Sequence, residues 1–425
     1  MKKPFNHKDT RRKKEKNFVF LRVLHGKKLE ILSIIILLSF LTSCANLPSI
    51  SAPTEATTIN PESISTLEIP ATEIPTPEDN TPQILRVWLP PEFDPDAETD
   101  AGAILRTRLD NFQKRRPDLI VEVRIKSTEG QASLLNALIA THQAAPSIMP
   151  DLVALPRPDF EKAAQEGILH PIDGLTTLLD DPDWFPYARP LAHIQNSAYG
   201  LPFSANLLGL RYTPTEDFPL PTLESLTEQE AQILFDPEKS ELSFCLYLAS
   251  GISLHNEEGQ PALDEAELTT LLTFYQSDLV TEAESEKMLP VLWTDDFLDE
   301  TPADARLMPI PGPKGSTCSL ASAWLWSLAG SAPDLQPAAV ELAEYLSDST
   351  FLAEWTAALG TLPTRPTALD ENETAFYELS LLAQPLPPND IVEALGEIFI
   401  QATANLLEEG VSPEAAAKDA LAQHQ

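Results

Sequence analysis

From Ile84 onward the apolar positions of the chain switch repeatedly between two periods. The short apolar run 84–89 predicts a strand, and Leu105, Leu109 and Phe112 fall at helical spacing across 101–115 before Pro117 stops the turn. Leu119, Val121, Val123 and Ile125 alternate with Glu122, Arg124 and Lys126, the period-two pattern of a half-buried strand. An amphipathic helix through Leu134, Leu135, Leu138 and Ile139 follows, then a buried strand at 151–155, then a helix opened by Pro158 and closed by Gly167. This β-α-β-α-β-α order predicts an α/β fold with a mostly parallel sheet covered by helices on both faces. Open sheets of that kind bind ligands beyond the carboxyl ends of their strands.

The first 82 residues follow neither period. Residues 1–30 carry eleven Lys/Arg and three Asp/Glu, and they lead into an apolar run at 31–41 that is too short for a spanning helix, which needs about 20 residues. A basic start, an apolar run and small residues before a cut describe an export signal. Leu41-Thr42-Ser43-Cys44 resembles the lipobox of bacterial lipoproteins, which implies a signal peptide at 1–43 and a diacylglycerol-bearing Cys44 as the new N-terminus. The competing reading is a buried hydrophobic helix with a chance cysteine. Residues 45–82 hold eleven Ser/Thr, seven Pro, six acids and no Lys, Arg or Gly, so 44–82 is expected to be an extended linker that buries too little apolar surface to fold.

Charge sharpens this division. The whole chain has 29 Lys+Arg against 64 Asp+Glu, a net charge of -35, whereas the part after residue 43 has 18 against 61, a net of -43. Nucleic-acid binding needs a basic footprint, so that function is excluded. Anionic lipid repels such a protein, so the acyl chains on Cys44 must hold it at the membrane. With 43% apolar residues the remainder supports true hydrophobic cores. Only Cys245 and Cys318 remain beyond Cys44, and sequence leaves open whether they pair or stay as separate buried thiols. The seven His are scattered, with no His-x-x-x-His pair and no Gly-x-Ser-x-Gly elbow, so no enzyme, metal or cofactor is indicated. Paired carboxylates of glycosidase type leave no spacing signature.

Several pieces in order resemble the extracellular solute-binding proteins of ABC importers, in particular the group that binds sugars and oligosaccharides. Ile84-Leu85-Arg86-Val87-Trp88 resembles the first strand, 112–123 the "helix, Pro-Asp, strand" element, Pro150-Asp151-Leu152-Val153-Ala154-Leu155 the third strand and 163–171 the helix end after it. Tyr199-Gly200-Leu201-Pro202-Phe203 and Leu208-Gly209-Leu210-Arg211-Tyr212 resemble the crossover into a second lobe, and Met308-Pro309-Ile310-Pro311-Gly312 the return. The stretch 335–346 with Gly360 and Pro363 resembles the closing helix and turn.

The resemblance implies a two-lobed periplasmic-binding-protein-like fold with a hinge, lobe 1 at 83–203 plus 309–348 and lobe 2 at 204–308 plus 349–425. It implies a monomer that closes on a carbohydrate or similar polar solute and delivers it to ABC permease subunits from the outer face of the cytoplasmic membrane. A surface lipoprotein that keeps the fold without a transport ligand is the alternative, because the stretch between the crossovers is short for the family.

Sugar rings stack on aromatic faces and need paired polar groups for their hydroxyls. Trp293 and Trp324 fall where the resemblance places cleft residues, although Ala and Ser stand around Trp324 where the family has Gly-rich sequence. Trp184 and Tyr187 fall on an expected rim segment, Tyr199 on the crossover, and Asp151 at the start of a strand directed at the cleft. For each, core packing or turn capping competes with ligand contact. Trp88, Trp326 and Trp355 read as core. Glu92, Asp94, Asp96, Glu98 and Asp100 crowd the loop after the first strand, and Pro95 without a sixth-position Gly argues against a calcium loop. An acidic rim favours neutral or cationic ligands.

Overall fold

The computed structural model describes residues 81–216, 218–300, 304–330, 332–407 and 410–423; the expected signal peptide, Cys44 and nearly all of the 44–82 linker lie outside them. The first elements are β1 (Gln83–Leu89), α1 (Asp100–Arg115), β2 (Leu119–Ile125), α2 (Leu134–Ala144), β3 (Leu152–Pro156) and α3 (Arg157–Gln165). Local chemistry fixes their ends: the Thr99 side chain accepts from the Gly102 amide to cap α1, and Ser133 accepts from Asn136 to cap α2. Pro158 sits in the first turn of α3, and Gly167 follows it at φ +71°, a conformation that favours glycine.

β1 runs parallel to β2, from Gln83 opposite Leu119 to Leu89 opposite Ile125, and parallel to β3 through Val87 opposite Leu152. The later strands are β4 (Gly200–Tyr212), β5 (Gln232–Leu234), β6 (Val280–Thr281), β7 (Met288–Trp293), β8 (Arg306–Met308) and β9 (Leu320–Ala329). The sheet order is β2-β1-β3-β9-β4-β7-β5-β6. Two parallel trios therefore flank a central pair, β9 and β4, that is antiparallel to each other and to the adjoining strands β3 and β7.

Two hydrophobic cores divide this sheet, and the dividing line runs across neighbouring residues. Leu207 belongs to the first core and Leu208 to the second; Ala321 belongs to the first and Leu320 to the second. On β7, Leu292 packs on the first core and Trp293 on the second. The change falls along each crossing strand: β4 packs in the first core up to Leu207 and in the second from Leu208, and both faces of β9 beyond Leu320, Leu325 and Trp326 alike, pack in the first core. That arrangement makes the β4-β9 crossing the natural pivot between two lobes.

The core of the first lobe centres on an aromatic stack. Phe203 lies 4.4 Å from Trp326 and 5.4 Å from Trp355, with Trp88, Trp326 and Trp355 all buried. Helices α7 (Gln336–Leu346) and α8 (Ser349–Leu359) cover it. The second core is built by α4 (Glu241–Ala249), α5 (Glu265–Tyr275), α9 (Asn389–Leu407) and α10 (Pro413–Gln423).

The cores depart from the expected lobe limits at several places: Ala205, Leu207, Phe297, Ala305 and Leu307, expected in lobe 2, pack in the first core, and Leu320, expected in lobe 1, packs in the second. Phe351, Leu352 and Trp355 of α8, with Phe376 and Leu379, pack in the first core, because α8 lies against α1 and its Trp355 completes the aromatic stack. A further crossing, between Ala383 in the first core and Ile391 in the second, carries the chain back to α9. Ile310 and Cys318, expected in the first lobe, pack in the second core. Cys318 is bonded there to Cys245 of α4, with Cα atoms 5.6 Å apart and both residues buried. Closing a 73-residue separation restricts the unfolded chain by about 4 kcal/mol on a chain-entropy account. Among the described residues no helix is long and apolar enough to cross a membrane.

Candidate ligand-binding cleft

A cavity of about 300 Å³ opens at the carboxyl ends of the first three parallel strands. Each strand contributes the residues that immediately follow it. Pro90 and Glu92 come after β1, Thr128 and Glu129 after β2 with Leu134 opening α2, and Pro156 and Asp159 from the passage of β3 into α3. Trp324 of β9 forms the remaining wall. It lies opposite Pro156 on one side and Ser204 of β4 on the other. The β4-β9 register shifts between Trp324 and Leu325, a local irregularity of the kind that re-aims a side chain beside a site. Phe93 meets the Trp324 ring edge-on at 5.0 Å and links it to the buried aromatic stack. Trp324 is thus half-buried: its inner part is packed and its outer part faces the cavity.

The cavity is acidic. Glu92, Glu129 and Asp159 line it, no lining residue is basic, and among the described residues no hydrogen bond or ion pair reaches these three carboxylates. Burial pushes the Asp159 carboxyl above its ordinary value, an effect that the Lys162 charge only partly offsets. A second hollow of about 420 Å³ lies between α1 and α8, beside Ile104, Arg108, Phe351 and Glu354. No strand end reaches it, and its Arg108 is already held by the Tyr345 carbonyl and ring.

Trp293, the last residue of β7, lies opposite Leu208. It is four residues further along β4 than the Ser204 partner of Trp324, about 13 Å at strand rise, and half-buried against the second core. The next residue fixes the junction: the buried Thr294 Oγ1 donates to Asn206 Oδ1 (2.8 Å) and accepts from the Leu207 amide (3.0 Å). Asn206 Nδ2 donates in turn to Asp295 Oδ2 (2.7 Å), tying the crossing strand to the helix that begins at Thr294.

The other four expected contacts sit elsewhere. Asp151 precedes β3 and so lies at its amino end, opposite the cavity; it is buried and accepts from the Arg86 amide at 2.7 Å. Burial raises the Asp151 carboxyl, and the Arg86 bond only partly counters this. Tyr199 precedes Gly200, which pairs with Ser327 opposite Val153, so it too is at the amino-end side. Trp184 is buried, its indole N–H donating to the Leu178 carbonyl at 2.9 Å. Tyr187 is fully buried against Phe185, and burial pushes its phenol up. Thr128, Glu129, Pro156 and Asp159 carried no individual sequence signal, yet Pro156 ends β3 and the other three fall within four residues after a parallel strand, where the sheet rule places ligands.

A two-lobed α/β molecule with a cavity at strand ends beside its crossing strands has the architecture of a periplasmic-type binding protein. The chain belongs to the family of bacterial extracellular solute-binding proteins, whose model matches residues 107–379. Solved structures share the fold at low identity. The sugar-binding protein MalE of Xanthomonas citri matches with a TM-score of 0.65 at 17% identity, covering 80% of this chain and 96% of that one. An extracellular solute-binding protein of Staphylococcus aureus in complex with maltose matches with a TM-score of 0.65 at 15% identity, covering 81% and 97%. A cyclo/maltodextrin-binding protein complexed with maltotetraose matches with a TM-score of 0.63 at 18% identity, covering 81% and 97%. No curated protein matches the sequence. The family and these neighbours are binding proteins, not enzymes.

Proposed function

We propose that this protein is a lipid-anchored receptor on the outer face of the cytoplasmic membrane, working as a monomer. It captures a carbohydrate or similar polyhydroxylated solute by closing its lobes and hands the solute to ABC permease subunits. The observation that carries the reading is the cavity at the carboxyl ends of β1, β2 and β3, walled by the half-exposed Trp324 next to the crossing strands. An indole face offers a sugar ring apolar stacking, and the surrounding oxygens accept from hydroxyls. Closure follows only if the solute binds the closed state better than the open one, so contacts from both lobes are required. Trp293 is the second-lobe candidate, held beside the junction by the Thr294–Asn206 bonds. The basic start, the apolar run and Cys44 support the anchor, and the linker supports a head that reaches a permease while tethered.

Calorimetric titration of the folded protein with a panel of mono- and oligosaccharides that includes maltose and maltotriose tests the receptor reading. Binding that weakens more than tenfold in Trp293→Ala, at an unchanged melting temperature, is expected. A folded protein that answers to no solute would favour the surface lipoprotein without a transport ligand. Labelling with tritiated palmitate tests the anchor, with loss of label in Cys44→Ala expected.

A further inference from the structure

Two clusters in the first lobe set carboxylates around an indole and differ in the cation between them. In the first, the buried Arg365 guanidinium lies 4.6 Å from the Trp184 ring centroid. It also donates to Asp181 Oδ2 (2.7 Å) and Asp183 Oδ2 (3.0 Å). One indole and two carboxylates there surround one cation. In the second, Trp324, Glu92, Glu129 and Asp159 line the cavity, no lining residue is basic, and among the described residues the cation acting on Asp159, Lys162, forms no ion pair with it.

Several acids elsewhere in the lobe are matched by ion pairs, Asp96 with Arg106, Asp118 and Glu341 with Arg116, Glu122 with Arg124, and Asp348 with Arg108, while others on open helix faces, such as Asp110 and Glu354, are not. Asp159 lies in the first turn of α3, where a carboxylate complements the helix dipole. Glu129, which precedes the Ser133 cap of α2, has no such position. The two helix starts at the cavity contribute roughly +0.5 charge each, too little to neutralise three carboxylates. Nor is the site built for an anion, because Pro156 and Pro158 at the start of α3 have no N–H to donate.

We infer that the solute carries a protonated amine, which docks in this cavity between the carboxylates and the Trp324 face. Ammonium recognition by an indole face and charge-assisted bonds to carboxylates is the chemistry that the Arg365 cluster already displays within the same lobe. The inference rests on the proposed reading of the cavity as the solute site and narrows its ligand from polyhydroxylated molecules in general to amine-bearing ones. A volume of about 300 Å³ is at the lower end of small-molecule sites and suits a single ring or an alkylammonium.

The test uses the full chain and calorimetry at pH 6 with four probes: β-1,4-diglucosamine, its neutral N,N′-diacetylated counterpart, maltotriose and spermidine. Diglucosamine is expected to bind at least tenfold tighter than the diacetylated form and to weaken steeply with added salt. Glu129→Gln and Asp159→Asn should each weaken diglucosamine about tenfold while the melting temperature holds. Binding of spermidine alone would keep the ammonium inference and remove the carbohydrate part of the proposed function. Binding of maltotriose or the diacetylated sugar as tight as that of diglucosamine, sensitive to Trp324→Ala but not to Glu129→Gln, would overturn the inference and leave the receptor reading standing. A folded protein that binds none of the four would overturn both.

Discussion

Asp151 and Asp159 bracket the same strand, β3, and both carboxyls are raised by burial. They differ in what reaches them. Asp151, at the amino end, takes the Arg86 amide at 2.7 Å and closes a gap between β1 and β3. Asp159, past the carboxyl end, accepts no bond from the described protein and faces the cavity. The same residue type eight positions apart thus does structural work at one end of a strand and at the other lines a cavity, without a hydrogen bond or ion pair among the described residues. Strand polarity, rather than residue type, separates the two roles. The Arg365 cluster extends the lesson: there the acids are satisfied from within, so their loss should be felt in stability, whereas the cavity acids should be felt in binding.

The largest effect expected is at Arg365. Arg365→Met removes the shared partner of Asp181 and Asp183 and should cost about 3 kcal/mol in urea unfolding; a cost below about 0.5 kcal/mol would break the contrast. Burial alone would push the Asp183 carboxyl up, but bonds from Ser349, Thr367 and Arg365 outweigh it and hold it below its ordinary value. A carboxyl lowered in the folded state stabilises at neutral pH, and that contribution is lost as pH falls through the lowered value. The wild type should therefore lose stability in acid more steeply than Arg365→Met.

A smaller effect is expected at Asp151. Asp151→Asn keeps an acceptor for the Arg86 amide and removes a buried charge, so stability should change by about 1 kcal/mol or less and solute affinity not at all. The Asp151 carboxyl is raised in the folded state, so its contribution is most favourable at low pH and declines as pH rises through the ordinary and then the raised value. The melting temperature of wild type relative to Asp151→Asn should accordingly fall over that range; a reduced solute affinity would return Asp151 to the cleft. The smallest stability effect is expected at the cavity, where Asp159→Asn and Glu129→Gln should each shift unfolding by less than about 0.5 kcal/mol, as unpartnered partly exposed groups do.

Much of the fold was legible because it rests on local pattern. The strand expected from the alternation at 119–125 spans the same residues as β2, although Ile125 is exposed, and the Pro158 and Gly167 punctuation brackets α3. The lobe limits were less legible, since α8 has an apolar side that fits either core, and only its meeting with α1 and Phe203 decides the matter. Trp324, singled out because its segment resembles a return to the cleft, lines the cavity, while Trp184 and Tyr187 pack in the core, where Arg365 over the Trp184 ring is too distant in sequence to leave a spacing signal. Asp151 was misplaced because a strand's direction relative to the cleft follows from the sheet, and Glu129 and Asp159 become visible only when that direction is known.

Solute is expected to bind against Trp324 at the strand ends of the first lobe. Tryptophan fluorescence titration of wild type and Trp324→Phe with the same solute panel tests it most directly. A saturable change in the wild type that disappears in Trp324→Phe, together with affinity weakened about tenfold by calorimetry, is the result predicted. An equal affinity and an undiminished fluorescence change in Trp324→Phe would contradict it.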